Sequence, residues 1–334
     1  MRNPKNKPEL DFIAIGESLR DVFYLINEAT LSCSINKDKC LLCLEYAEKI
    51  PVRQVVKVPA AGNSGNAAVT ASRLGLKTAL MTWVGKDHSG DHIRESLQKE
   101  KIDNRYVIID PDFPTSEATI INYSGEKTQL VFFQPRKYKL PHFASTRCVY
   151  YSAMSETHAG FDKLLLNEMK NRKETFFSFQ PGTTHIHRGL KPLMPLIALS
   201  DLFTLNKDEA YHLLGDGERT ICNMLETFRH LGAKIAIITD GANGADAFDG
   251  KNHWHMPIFK GKSKERTGAG DAFASAVTVA LLNNKDLPTA LRYGTANSWS
   301  VIQEVGPQKG LLNSKEMQDV LKKFSSIKPI LHAH

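Results

Sequence analysis

The stretch Thr267-Gly268-Ala269-Gly270-Asp271-Ala272-Phe273 sets three small residues and a carboxylate at the head of an apolar run, Ala272-Phe273-Ala274-Ser275-Ala276-Val277. The run reads as a helix, so the backbone N–H groups of Gly268, Ala269 and Gly270 stand uncovered at its start. Free N–H groups and the positive end of the helix dipole favour bound negative charge. A carboxylate at that place, Asp271, would repel phosphate unless it had a use there. The use that fits is a base taking the proton of an attacking hydroxyl, which is what phosphoryl transfer to an alcohol requires. A Gly-rich turn with Asp as an ordinary N-cap fits the same letters. Taken alone, the stretch leaves both readings open.

Outward from it, short β-rich runs alternate with helical stretches, the pattern of a mostly parallel sheet covered by helices. Strands are expected at 12–15, 79–84, 149–151, 176–179, 202–205 and 235–239. Helices are expected at 64–74, 88–100, 159–171, 207–214, 219–231, 270–283, 287–303 and 314–324. Two regions break the alternation. Residues 115–134 read as a hairpin with arms 118–123 and 128–133 around Ser124-Gly125-Glu126-Lys127. Residues 20–60 end in a strand-like Gln54-Val55-Val56-Lys57-Val58. Two β excursions from one α/β body suggest a small accessory sheet able to act as a lid. One domain over 8–330, with a lid built from about 18–60 and 112–140, fits best.

The bulk numbers agree. A chain of 334 residues with 42% hydrophobic and 24% charged residues is globular and within reach of one large α/β domain. Its longest apolar runs, such as Ile235-Ala236-Ile237-Ile238, are far too short to span a bilayer. The basic start, residues 1–7, leads into no secretory apolar region, so a cytoplasmic protein without membrane attachment is expected. The net charge of +7 is scattered along the chain. That favours an anionic small ligand over nucleic acid. Five cysteines, an odd number, argue for reduced thiols. Cys40-Leu41-Leu42-Cys43, with Cys33 upstream, has the spacing of a zinc knuckle, but no fourth ligand follows nearby. Small buried apolar side chains are the plainer role for these thiols. His185, His187, His332 and His334 have no evident carboxylate or thiol partner in the sequence and read as surface.

Four further places carry chemistry. In Ala61-Gly62-Asn63-Ser64-Gly65-Asn66-Ala67-Ala68, the glycines permit close approach and Asn66 offers both donor and acceptor, which suits a polyhydroxylated ligand. A helix start capped by Asn and Ser is the plain alternative. Ile15-Gly16-Glu17-Ser18-Leu19-Arg20-Asp21 follows the first strand, where ligands of open α/β sheets collect, and Asp21 there suits sugar hydroxyls. A solvated loop acid fits equally. Asn206-Lys207-Asp208-Glu209 places an acid and an amide at helix-start spacing, either to orient magnesium-bound water or simply to cap the helix. Thr239-Asp240-Gly241-Ala242-Asn243-Gly244 is a Gly-rich loop whose N–H groups suit nucleotide phosphates, although such turns are common. Gly261-Lys262-Ser263 resembles the end of a Walker A motif, but Met256 stands where its first glycine belongs. No G-x-G-x-x-G follows the first strand, against a standard dinucleotide fold.

Together and in this order, the motifs resemble the ribokinase-like PfkB family of sugar and nucleoside kinases over nearly the whole chain. Gly62 to Gly75 is similar to that family's N-terminal signature and Arg266 to Ala276 to its C-terminal one. Asn206/Glu209 matches its N-x-x-E, and Thr239 to Gly244 its nucleotide loop. The resemblance implies a three-layer α/β fold with a mostly parallel central sheet and a β-sheet lid that often dimerises, so a homodimer through the lid is an expectation. It implies that ATP with Mg2+ phosphorylates a hydroxymethyl group of a small sugar or nucleoside. On this likeness Asp271 is the base, and the N–H groups of Gly268, Ala269 and Gly270 stabilise the migrating phosphoryl. Asn206 and Glu209 organise magnesium through water, Thr239, Gly241 and Gly244 contact ATP, and Asn297 lines the adenine pocket. Asp21, Gly62, Asn63 and Asn66 hold the acceptor.

The chain departs from the family in Glu265-Arg266-Thr267, where Asp-Thr-x is usual. That Asp position often helps bind a monovalent cation, so K+ stays open as an addition to ATP and Mg2+. Arg266 would supply positive charge near the phosphates, and Arg20 would read a phosphate or carboxylate on the acceptor. The competing class is a catalytically silent sugar or nucleoside sensor, against which an intact Asp271 and anion hole argue.

Overall fold

The computed structural model describes residues 8–34, 40–215, 217 and 220–332. The basic residues 1–7 and His334 lie outside it. The body begins with β1 (Leu10–Ile15), whose side chains alternate between two buried faces. Phe12 and Ala14 join the core on one side of the sheet, Ile13 and Ile15 the core on the other. A strand buried on both faces needs the near-continuous apolar run seen in the sequence.

The chain then leaves the body as β2 (Leu19–Ile26), a short ribbon of β3 (Thr30–Cys33) and β4 (Cys40–Cys43), and β5 (Val52–Ala61). It returns through α1 (Asn63–Arg73), β6 (Thr78–Gly85), α2 (His88–Lys99) and β7 (Val107–Asp110). A second excursion is the hairpin β8 (Glu117–Tyr123) and β9 (Glu126–Phe132), after which β10 (Thr146–Tyr151) re-enters the large sheet. The sequence continues with α3 (Ala159–Asn171), β11 (Phe176–Phe179), α4 (Thr183–His187), α5 (Leu190–Leu199) and β12 (Leu202–Asn206). Next come α6 (Lys207–Leu214), α7 (Ile221–His230), β13 (Ile235–Thr239), β14 (Ala245–Phe248) and β15 (His253–Met256). The chain closes with α8 (Ala269–Leu282), α9 (Leu287–Val301), α10 (Ser314–Lys323) and β16 (Ile330–Leu331).

The large sheet is 10-stranded, in the order β16-β15-β14-β13-β12-β11-β10-β1-β6-β7. Pairing is parallel from β7 to β13 and antiparallel from β13 out to β16. One core packs α1, α2, α8, α9 and α10 on one face, and another packs α3, α5, α6 and α7 on the opposite face. This is the three-layer α/β fold expected. Strand order reverses between β1, whose next body strand is β6, and β10, which continues the other way. The crevice beyond the carboxyl ends of β1 and β10 is therefore the place for a ligand.

The two excursions meet in a separate sheet of order β5-β2-β8-β9. Its inner face alternates as a half-buried sheet should: Leu19, Phe23, Leu25, Ala118 and Ile120 form a small core against Val305 of the body. Its outer face leaves Val55, Leu130 and Phe132 exposed.

One expectation about the thiols is corrected here. Cys33 and Cys40 are opposite one another in the β3–β4 ribbon, with Cα atoms 4.0 Å apart, and are joined in a disulfide. Cross-strand register accounts for the pairing. Cys43, opposite Thr30 in the ribbon, is a free, exposed thiol, and Cys148 and Cys222 are also free. Among the described residues no helix is long and apolar enough to cross a membrane.

Candidate active site

Strand ends bring the chemistry together. The segments at the ends of β10, β11, β12 and β13 and the starts of α1 and α8 line a cavity of about 290 Å³, walled on one side by β2 and β9. Its lining includes Asp21, Gly62, Asn63, Asn66, Gln180, Asn206, Glu209, Thr239, Gly268, Ala269, Gly270 and Asp271. A second cavity of about 350 Å³ lies between the Thr239–Gly244 loop and the helices α8 and α9. It is lined mainly by apolar groups, among them Ile258, Phe259, Phe273, Trp299 and Ile302, with Thr295 and Ser298. The two cavities share Thr239, Arg266, Ala269 and Gly270. They meet over the first turn of α8.

That turn sets aside the N-cap reading of Asp271. The N-cap of α8 is Gly268, in the left-handed region at φ 78°, and no side chain caps the helix. Asp271 lies inside the helix instead of capping it, and its carboxylate is spoken for elsewhere. Oδ2 accepts from Asn66 Nδ2 at 2.8 Å and Oδ1 from Gln180 Nε2 at 3.2 Å. Each donor is oriented from behind. Gln308 Nε2 donates to Asn66 Oδ1 at 3.1 Å, and Tyr150 Oη donates to Gln180 Oε1. Burial pushes the Asp271 carboxyl above its ordinary range, and the bonds from Asn66 and Gln180 and the charge of Lys127 pull it back. The result is a nearly buried carboxylate, fixed in direction, with its aim set at the floor of the cavity. Ala269 N turns back to Arg266 O at a long 3.4 Å.

Neighbouring motifs divide. Gly62 at φ 83°, without a side-chain cap, starts α1; a Cβ there would come within 2.8 Å of Glu17 O. Ser64 donates to Glu17 O at 2.8 Å and Asn66 serves Asp271, so neither caps α1. Asp21 faces inward from β2, 3% exposed, with Oδ1 lacking any hydrogen-bond partner. Burial drives its pKa to about 7, Lys127 works against that, and the charges of Asp271 and Glu265 add to it. Asn206 and Glu209 do form the helix cap that was the plain reading. Asn206 Oδ1 accepts from Glu209 N and Glu209 Oε2 from Asn206 N, both at 2.8 Å. Glu209 nevertheless lines the cavity, and burial with the Asp271 charge raises its pKa to about 7. Gly241 and Gly244 line the second cavity beside Thr239.

Three expectations change. Asn297 does not line the nucleotide-side cavity. It is fully buried, donates to Ala272 O at 2.9 Å and accepts from Leu312 N at 3.0 Å, tying α9 to α8. Thr295, Ser298 and Trp299, on the adjoining face of the same helix, take that place. Arg20 does not reach the acceptor cavity: strand alternation turns it to the other face from Asp21, where it bonds Glu117. The histidines are not all surface. His185 is buried against Asp162 and Tyr151, whereas His187 and His332 are exposed as expected, although His332 has a carboxylate nearby in Asp246. Arg266 lies at the junction of the cavities and pairs with Glu126, the first residue of β9, at 3.1 Å.

Sequence reading missed Gln180, Gln308, Tyr150 and Lys127. None carries a local signature, because each earns its place only through tertiary neighbours. Glu265 is almost wholly buried, with Oε1 bound by Thr267 and Oε2 without a hydrogen-bond partner.

Comparison with known proteins gives the family and the fold. The model of the pfkB family carbohydrate kinases matches residues 25–314. The chain is 25% identical over 260 residues to the ATP-dependent 6-phosphofructokinase of Thermoanaerobacterium thermosaccharolyticum, covering 73% of this chain and 79% of that one. It is 25% identical over 309 residues to the ribokinase of Staphylococcus aureus, covering 89% and 100%. In fold it resembles the Methanocaldococcus jannaschii nucleoside kinase, an archaeal member of the ribokinase family, with TM-score 0.75 at 21% identity over 95% and 100% of the chains. The chain belongs to the pfkB family of carbohydrate kinases and is an ATP-dependent phosphotransferase with the ribokinase fold.

Proposed function

We propose that this kinase transfers the γ-phosphoryl group of ATP to a hydroxymethyl group of a small sugar or nucleoside, with Asp271 as the base. One observation carries the reading: a polar cavity holding Asp271 and a mainly apolar one fit for a base and ribose meet over the uncapped N-terminus of α8. The acceptor sits between Asp21, Asn63 and Asn66 with Gly62 close beneath it. Its hydroxyl oxygen attacks the γ-phosphorus as the bond to the β–γ bridging oxygen breaks, and ADP leaves. The hydroxyl proton passes to the Asp271 carboxylate. The N–H groups of Gly268, Ala269 and Gly270 face the charge that spreads over the transferred oxygens. Thr239, Gly241 and Gly244 contact the nucleotide, and Arg266 adds positive charge at the junction.

Three carboxylates, Asp21, Glu209 and Asp271, share the acceptor cavity, a donor set that fits a hard divalent cation as well as hydroxyls. Glu209, with Asn206 beside it, would hold Mg2+ through water, and the ion would neutralise phosphate charge. The unpartnered Oε2 of Glu265 fits a monovalent cation such as K+ behind the anion hole. The sheet β5-β2-β8-β9 acts as a lid, because β2 and β9 supply one wall of the acceptor cavity while residing outside the body. The exposed apolar side chains on its outer face fit a second copy, giving a homodimer.

The test is ATP turnover with magnesium against sugars, sugar phosphates and nucleosides, with Asp271→Ala alongside. Turnover of one acceptor, lost by at least about 10³-fold in the variant, is expected. Binding of an acceptor without any turnover would favour the sensor reading instead.

A further inference from the structure

Outside both cavities, on the antiparallel end of the large sheet, we propose that Asp246, His255 and His332 form a binding site for a divalent transition-metal ion, zinc by the chemistry of the donors. Asp246 on β14 lies directly opposite His255 on β15. On β16, Ile330 lies opposite His255, so His332, two positions on, returns to the same side of the ribbon. His255 Nδ1 is 2.9 Å from Asp246 Oδ1, and His332 Nε2 is 3.6 Å from the same oxygen. One ligand atom from each residue lies within 4.8 Å of the other two.

Those spacings are what decide the matter. A tetrahedral ion with bonds of about 2.0–2.1 Å holds its ligand atoms roughly 3.4 Å apart. The two separations from Asp246 bracket that value and the two imidazoles lie within 4.8 Å of each other, so side-chain rotations would seat an ion. Two imidazoles and one carboxylate are borderline donors that suit zinc over magnesium or calcium, and they leave a fourth position for water. The side chains of Asp246 and His255 are 13% and 26% exposed, so packing holds them in place. His332, 47% exposed, approaches from the terminal strand and leaves an entry path. The other described cluster with ligand spacing, His158, Asp162 and His185, is already filled: Arg188 Nη1 lies 2.6 Å from Asp162 Oδ2 and 2.9 Å from His158 Nε2.

The position links the ion to the nucleotide loop. Asp246 follows Gly244 by two residues, and His255 precedes Met256, whose carbonyl oxygen would stand 2.3 Å from a Cβ on Gly244. An ion on this trio would clamp β14, β15 and β16 together just beyond that loop.

The experiment is calorimetric titration of metal-stripped, nucleotide-free full-length protein with zinc chloride, in parallel with His255→Gln, His332→Gln and Cys222→Ser. The wild type is expected to bind zinc, with one equivalent lost in His255→Gln. In His332→Gln that equivalent weakens by at least about tenfold, and in Cys222→Ser it is unchanged. Cobalt in place of zinc should give the intense visible bands of a four-coordinate ion, absent in His255→Gln. Zinc binding that survives in both histidine variants, or none at millimolar zinc, overturns the proposal. Circular dichroism checks folding; should His255→Gln misfold, the more exposed His332→Gln decides the outcome on its own.

Discussion

Gln180 lines the acceptor cavity but not the nucleotide-side one, and its amide donates to the carboxylate of Asp271, the proposed base. Gln180→Leu removes that donor and leaves Tyr150 Oη facing an apolar side chain. The expected outcome is a fall in kcat of about 10- to 100-fold, the size of effect that misplacing a catalytic group produces. KM for ATP should change little. A second readout separates positioning from simple damage. Loss of a bond that favours the charged form raises the Asp271 pKa further, so the acidic limb of the kcat profile should move to higher pH. A profile that keeps its shape while kcat falls would count against this role. At this scale the sequence showed Asp271, Asn66 and Asp21, because each stands beside glycines or at a strand end where local pattern has meaning. It could not show that Asn66 and Asp271, 205 positions apart, share a hydrogen bond. Nor could it show that Gln308 and Tyr150 stand behind the two donors. Asn297 misled for the converse reason, since its helix was right and its face was not.

The first turn of α8 offers a paired test of element against site. Gly268 has φ 78°, and a Cβ on it would stand 2.4 Å from Pro307 Cβ. Gly268→Ala therefore carries both backbone strain and a clash, costing roughly 2–4 kcal/mol and lowering Tm in thermal melts. Gly270 is the opposite case, with nothing nearer to a built Cβ than Gln180 Nε2 at 3.9 Å. Gly270→Ala should keep stability within about 0.5 kcal/mol, since Ala is the better helix former. Its methyl group nevertheless points to where the transferred group must approach, so kcat should drop while Tm holds. Equal losses of Tm in both variants would sink this division. The elements themselves were readable where period and length were clear. The strand expected at 79–84 is Thr78–Gly85, and the hairpin arms expected at 118–123 and 128–133 are Glu117–Tyr123 and Glu126–Phe132. Helix α5 was not foreseen; it carries Pro192 in its first turn and Pro195 inside it, residues that disfavour a helix locally. The edge strands β14, β15 and β16 run four, four and two residues, too short for alternation to register.

At the scale of the whole molecule, the buried acids set how stability follows pH. Glu17, fully buried where the loop after β1 turns toward the small sheet, is driven to about 7 by burial, with Tyr138, Arg136 and Ser116 opposing. Asp21 and Glu209 are likewise raised to about 7. In the unfolded chain a glutamate gives up its proton near 4.5. Between that point and about 7 the folded protein holds protons that the unfolded chain has lost. Stability is therefore present in full at the acidic end and is lost as pH rises through the folded pKa. His158, pushed down to about 4 by burial and by His185, works in the opposite sense up to its ordinary 6.5. One imidazole is outnumbered by the acids, so ligand-free protein should melt at higher temperature near pH 5.5 than near pH 8. Glu17→Gln isolates one contributor. It should flatten the fall and stabilise the protein at pH 8 by up to the order of 3 kcal/mol, the full value of that shift. Melts of wild type and Glu17→Gln across this range decide it, and a wild-type Tm that rises toward pH 8 would overturn the assignment. The cost has a direction useful to a kinase. In the roles proposed for them, Asp21 and Glu209 lose it when an acceptor's hydroxyls or a magnesium ion engage their charged forms, so substrate binding should stabilise the protein more at pH 8 than at pH 5.5. Glu17 lines neither cavity and keeps its cost when ligands bind, so of these three acids it is the one that still holds the liganded protein below its stability maximum at neutral pH.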